Sequence, residues 1–239
     1  NSLITLEKCL DSIIAQSFKD WQLIIIDDGS VDGSTEIIEK IKSEKVIILR
    51  NNRNRGLPYS INKCIPYCDT AFIARVDADD VQHKDRLFKQ INYLCTHPEV
   101  DMVSTFAFAK KNREYIKLSV PTTHKEISKT LIKRNCILHP TVMFKKEFFE
   151  KYGLYDESFL RAQDYELWLR ALKKGAIFGC IDECLVYYNT NEYVRSIKTL
   201  FIYTVCRIRI FFRYPTLSSI FFILADITKP YFYKLRSMF

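Results

Sequence analysis

"FIARVDADDV" (Phe72–Val81) is an apolar run that ends in three aspartates within four residues, Asp77, Asp79 and Asp80. Carboxylates crowded in this way repel one another, so a positive partner is implied at the end of the run. The pattern has a counterpart upstream. "WQLIIIDDGS" (21–30) reads as a buried strand of four apolar residues entering a polar turn at Asp27 and Asp28. "KVIILR" (45–50) supplies another strand. Between these runs the apolar spacing becomes helical. Leu3, Leu6, Leu10, Ile13 and Ile14 predict an opening helix, and Ile37, Ile38 and Ile41 a second one with Ser34 as N-cap. "LPYSINKCI" (57–65) suits a short helix, and Leu87, Phe88, Ile91, Leu94 and Cys95 mark one face of a longer one. Short β-branched strands alternating with helices predict an α/β fold, with a parallel sheet covered on both faces. Ligands of such sheets gather beyond the carboxyl ends of the strands, where both aspartate clusters lie. From Val100 to about Thr190 the pattern is less regular and mixes strands with helices such as Tyr165–Lys173.

The chain has 239 residues, enough for one large domain with an appendage. Six glycines and seven prolines argue against disorder. The net charge of +8 is uneven, because Lys198, Arg207, Arg209, Arg213, Lys229, Lys234 and Arg236 face only Asp226 in the last stretch. A nearly neutral body argues against a nucleic-acid-coating domain, and the basic C-terminus points to an anionic surface. The eight cysteines include the pairs Cys64/Cys68 and Cys180/Cys184, but no C-x-x-C and no histidine close to either pair. They read as buried, reduced thiols of a cytosolic protein. No signal-peptide pattern opens the sequence, which does not begin with Met. The tail from about Ile197 is aromatic, apolar and basic, and its longest charge-free run, Tyr214–Ala225, is twelve residues. That is short of the roughly 20 residues needed to cross a bilayer. Helices lying in the membrane interface fit it, and so does a tail packed on its own domain or on a partner.

Asp77 and Asp79 stand at i and i+2 on an extended segment, so their side chains project the same way. This suits a hard divalent cation such as Mg²⁺, which takes one or two protein carboxylates and completes its shell with substrate phosphates. An EF-hand starting at Asp77 would need Gly and Glu where Gln82 and Phe88 stand. Neither G-x-x-x-x-G-K-[ST] nor G-x-G-x-x-G occurs. Helix capping by Asp80 or Asp85 is the alternative, and it accounts for one aspartate rather than three.

Taken together, "IIIDDGSVDGST" (24–35), "NRGLPYSIN" (54–62), "ARVDADDV" (74–81) and "RAQDYELWLRALKKG" (161–175) resemble, in order and spacing, the family 2 glycosyltransferases of GT-A fold. The likeness is to the bacterial surface-polysaccharide and lipopolysaccharide type. It implies an inverting transferase that moves a sugar from a nucleotide-diphosphate donor, commonly UDP-linked, with Mg²⁺ or Mn²⁺. It places Asp28 on the uracil edge, Asp27 in support of the nucleotide pocket, and Asn54 with the donor-binding residues. Asp77 would contact ribose or metal, Asp79 the metal, and Asp164 would be the catalytic base. Inversion by single displacement needs such a carboxylate opposite the leaving group. Simple turn formation by Asp27 and Asp28, and helix capping by Asp164, are the plainer readings. On the acceptor side the resemblance suggests His139, and Trp168 as a sugar-stacking ring, although both types are more often structural.

The departures from the family pattern shape the rest of the expectation. Asn1 corresponds to the last residue of a first strand of the type "VSVIIPTYN", so that strand is expected to be missing. Gln163 stands where glutamate is frequent, and Thr190 and Asn191 where many members have a histidine. The Q-x-x-R-W signature of processive synthases is absent, which implies one sugar per binding event. The expected organisation is a GT-A domain over 1–195, with a C-terminal amphipathic helical tail over 196–239. The expected partners are a nucleotide-sugar donor, a glycan or lipid-linked acceptor, and a peripheral contact with the cytoplasmic face of the cell membrane. The alternative is a catalytically impaired nucleotide-sugar-binding scaffold.

Overall fold

Apolar spacing places the first elements where the chain forms them. A computed structural model describes residues 2–41, 43–111, 114–189 and 197–215. Helix α1 (Leu3–Ile14) buries Leu6, Cys9, Leu10 and Ile13 and turns Leu3 and Ile14 outward. Strands β1 (Leu23–Asp27) and β2 (Val46–Arg50) pair in parallel, with α2 (Ser34–Glu39) between them in sequence. Ser34 is not the cap of α2. Asp32 does that work, accepting the Ser34 N–H at 3.1 Å through one oxygen and the Leu3 N–H at 3.1 Å through the other. One carboxylate thus ties the starts of two helices together, while Leu6, Leu10 and Ile38 close a small core beneath them.

The elements that follow are α3 (Leu57–Cys64), β3 (Phe72–Ala74), β4 (Val81–Gln82), α4 (Arg86–Thr96), β5 (Met102–Lys111), β6 (Glu114–Leu118) and α5 (His124–Leu131). After them come β7 (Met143–Lys145), α6 (Glu147–Tyr152), α7 (Gln163–Lys173), β8 (Phe178–Tyr188) and α8 (Ile197–Arg213). Here the sheet departs from the all-parallel expectation. Strands β3, β7, β5, β8 and β4 lie side by side in that order, with β6 hairpinned on β5, and only the β5–β8 pair is parallel. Because β3 and β5 are both antiparallel to β7, they run the same way, and β3 ends just before the turn that carries Asp77.

Alternation along the strands separates two cores. Val103 and Met143 face α4 with Leu94, whereas Met102 and Phe144 face a larger cluster with Ile127, Leu131, Phe148, Trp168 and Phe178. Each large side chain enclosed there contributes about 2 kcal/mol. Cys206 and Ile210 of α8 belong to the same cluster, so the tail begins as a helix docked on the body. Residues 216–239 lie outside the described residues.

Candidate active site

The D-A-D-D turn leaves β3 and is held from behind by α1. The Cys9 thiol donates to the Asp77 carbonyl at 3.3 Å, the Thr5 hydroxyl to the Ala78 carbonyl at 3.2 Å, and Ser12 Oγ accepts the Gln82 N–H at 3.0 Å. In this frame one carboxylate oxygen from each of Asp77, Asp79 and Asp80 lies within 4.8 Å of the others. Burial and then the neighbouring Asp77 raise the pKa of Asp79. Asp80 is fully enclosed, and burial pushes it up to about 7, with Asp77 and Asp79 adding to the rise. One Asp80 oxygen accepts the Asn189 N–H at 2.9 Å, while Oδ2 is buried without a partner. Three crowded carboxylates with an unsatisfied buried oxygen fit a hard divalent cation. Asp77 and Asp79 would hold it, with Asp80 set behind them.

Two buried arginines, which periodicity did not single out, stand beside this cluster. Arg75 donates through Nη2 to Asp77. Burial opposes its charge, but Asp77, Tyr155 and Asp164 outweigh that and keep it ionised. Arg86 is 1% exposed, and burial lowers its pKa to about 9 while Asp80 opposes the fall. Its guanidinium bonds Gln82, Gln90 and the carbonyls of Arg75 and Val142, which pins α4 to the base of the aspartate turn.

Asp164 lies in the first turn of α7, two residues after Ala162, the one described non-glycine residue with positive φ, at 55°. An L-residue held there is strained, and such strain gathers at functional sites. Asp164 is half-buried and accepts Asn135 Nδ2 at 2.7 Å. Burial raises its pKa, and bonds from Tyr165 N–H and Asn135, with the charge of Arg75, limit the rise. A carboxylate made more basic in this way is shifted in the direction that suits proton abstraction.

His139 is 9% exposed and lies 2.8 Å from Tyr155 Oη through Nε2. Burial, with the charge of Arg75, lowers its pKa well below the usual histidine value, so the ring is neutral. Trp168 meets His139 edge-on and is 0% exposed. So enclosed, the indole presents no face for a sugar to stack on, and its place is in the core. Asp27 is buried and occupied, accepting from Ser30 N–H, Thr35 Oγ1 and Arg50 Nε. Asp28 accepts from Asn51 Nδ2 and from the Arg55 and Gly56 N–H groups, which clamps the N-R-G loop. Asn54 is exposed on that loop, beside Gly29. Arg75 thus lies within electrostatic reach of Asp77, Asp79, Asp80, His139, Tyr155 and Asp164, while Asp27, Asp28 and Asn54 stand on the β1 side.

The glycosyl transferase family 2 profile matches residues 1–153 of this chain. The chain belongs to that family. Within family 2, the O-antigen biosynthesis glycosyltransferase WbnJ of Escherichia coli is 33% identical over 193 residues, covering 77% of this chain and 73% of WbnJ. Among solved structures, S. aureus TarS has a TM-score of 0.69 at 17% identity, and one of its structures is a complex with UDP-GlcNAc. The alignment covers 97% of this chain but only 42% of the longer TarS chain. The mannosyltransferase PcManGT from Pyrobaculum calidifontis, in complex with GDP-Man and Mn²⁺, has a TM-score of 0.62 at 16% identity over 87% of this chain and 57% of its own. The fold is therefore GT-A, as the motifs implied, and the protein is a family 2 glycosyltransferase.

Proposed function

We propose that the chain transfers one sugar per binding event, with inversion, from a UDP-sugar to a glycan or lipid-linked acceptor of cell-surface polysaccharide. One observation supports this reading: Arg75 couples electrostatically both to the cation-type carboxylate cluster, through Asp77, and to Asp164, a separate carboxylate made more basic by burial. Asp164 would take the proton of the acceptor hydroxyl as the new bond forms. Asn135 would keep its carboxylate aimed, and the neutral His139–Tyr155 pair would line the acceptor side. Asp77 and Asp79 would hold Mg²⁺ or Mn²⁺, whose charge stabilises the departing nucleoside diphosphate. Asp28, the clamp of the N-R-G loop, would shape the nucleotide side together with Asp27 and Asn54. The names of WbnJ and the TarS complex support the surface-glycan and UDP parts of the reading. The organisation proposed is a GT-A body over 1–195 and a tail over 196–239 that contacts the cytoplasmic membrane face.

The test is UDP release by the purified chain with Mn²⁺, using UDP-glucose, UDP-galactose and their N-acetyl forms. Activity with one of these donors is expected, together with its loss in Asp79→Ala and Asp164→Asn. Undiminished turnover in both variants would overturn the assignment.

A further inference from the structure

Arg75 carries an unusual deficit. Its side chain is 9% exposed, and Nε and Nη1 are buried with no hydrogen-bond partner, while Nη2 is used by Asp77. A buried charged donor without an acceptor is destabilising, so a fold retains one only where something offsets it. The neighbours do not supply the acceptors. The carboxylate of Asp77 is the one side-chain partner Arg75 has among the described residues, and Asp164 reaches it only through charge. His139 is neutral and its Nε2 is taken by Tyr155. The backbone carbonyl of Arg75 is in turn held by Arg86, which fixes the start of the side chain.

We propose that Arg75 is a donor-contacting residue, whose Nε–H and Nη1–H receive a pair of oxygens on the nucleotide sugar between the metal carboxylates and Asp164. The inference rests on the nucleotide-sugar reading above. A guanidinium presents parallel N–H groups that match two oxygens, whether on a phosphate or on neighbouring sugar hydroxyls. Asp77 has two oxygens and can serve Arg75 with one while the other faces the cation, so the two roles do not compete. The unpaired nitrogens belong to a side chain that retains 9% exposure. A small rotation of the long side chain brings them to the ligand, and the contact removes the penalty they carry. Lysine cannot substitute, because its ammonium keeps the charge beside Asp77 but offers no fork.

The test is calorimetric titration of the full chain with Mn²⁺ alone, with UDP plus Mn²⁺, and with UDP-glucose or UDP-GlcNAc plus Mn²⁺. Wild type is compared with Arg75→Lys and Arg75→Gln, and thermal melting accompanies each variant. Arg75→Lys is expected to melt near wild type and bind Mn²⁺ within twofold, but to bind the UDP-sugar about 10- to 100-fold more weakly. An equal loss for UDP assigns the fork to the diphosphate. A loss confined to the UDP-sugar assigns it to the sugar hydroxyls. Affinities for both nucleotides within twofold of wild type in Arg75→Lys would overturn the proposal, and so would a loss of all three affinities in step with melting temperature. Wild type that binds none of the nucleotides would instead sink the nucleotide-sugar reading, and Arg75 with it.

Discussion

Burial works against the charge of Asp164, and the Asn135 bond and the Arg75 cation work for it. The net rise in pKa gives a prediction with a definite sign. A base must be ionised, so kcat should fall on the acid side, with a midpoint above the ordinary carboxylate range near 4. Asp164→Asn should lower kcat by about 10²- to 10⁴-fold and leave donor affinity within a few-fold, because proton abstraction alone is lost. Initial rates against pH, paired with nucleotide titration, check both parts. His139 behaves oppositely. Its pKa is depressed by burial and then by Arg75, so below about 6.5 the unfolded chain takes up a proton that the folded chain refuses. The stability it contributes is complete above the unfolded value and is lost as pH falls toward the folded one. The slope approaches about 1.4 kcal/mol per pH unit. Urea melts from pH 7.5 to 5 should therefore show a steeper acid loss in wild type than in His139→Gln, and parallel curves would refute the assignment.

At the scale of elements, the turn after β1 is set by contact as well as by conformation. Gly29 has φ 76°, and a Cβ there would lie 2.7 Å from the Arg53 carbonyl carbon and 2.9 Å from the Asn54 nitrogen. Gly175 has φ 90° but nothing within 4 Å of its would-be Cβ. Gly175→Ala should thus cost only the left-handed strain, about 1 kcal/mol, whereas Gly29→Ala must also displace backbone and should cost about 2–4 kcal/mol. Denaturant midpoints of the two variants decide this, and equal losses would remove the close approach as a cause. The same turn shows what a sequence can reveal. Strands β1 and β2, α1 and the aspartate clusters were legible because their apolar spacing is local. The face of α4 was legible in part, since Leu94 is buried and Leu87 and Ile91 pack beside it. Phe88 is 56% exposed and Cys95 is exposed, while Arg86 and Gln90 are buried. An apolar-periodicity reading counts a buried arginine as solvent-facing, and only the acceptors on Gln82, Gln90, Arg75 and Val142 explain why it is not. The parallel β5–β8 pairing was hidden for another reason, since Met102 meets Phe178 from 76 positions away. Arg75 left a trace, a charge inside "FIARV", but its missing partners are visible only in three dimensions.

For the whole molecule, the question is what the docked start of the tail leaves exposed. Arg213 pairs with Asp156 at 2.7 Å and with Glu166 at 3.3 Å, Arg209 bonds Ser158, and Arg207 lies over the Tyr165 ring. Three of the tail's basic residues therefore hold α8 to the body, a use that net charge alone does not reveal. Cys206 and Ile210 face inward, and Phe201, Val205, Ile208 and Phe212 form an exposed stripe on the opposite side. At 100° per residue those four fall within an arc of about 60°. No described helix is long and apolar enough to cross a membrane, so contact through α8 would be in the plane of the interface. Burying a phenylalanine contributes about 2 kcal/mol. The double variant Phe201→Asp, Phe212→Asp should thus lose at least about tenfold in partition onto phosphatidylglycerol-containing vesicles. Its melting temperature should change little, because Phe201 is 62% and Phe212 75% exposed. Arg207, Arg209 and Arg213 are committed to the body and should contribute little to that partition. Equal vesicle binding by wild type and the double variant would overturn the contact. A wild-type dimer that becomes monomeric in the variant would assign the stripe to a second copy of the chain instead.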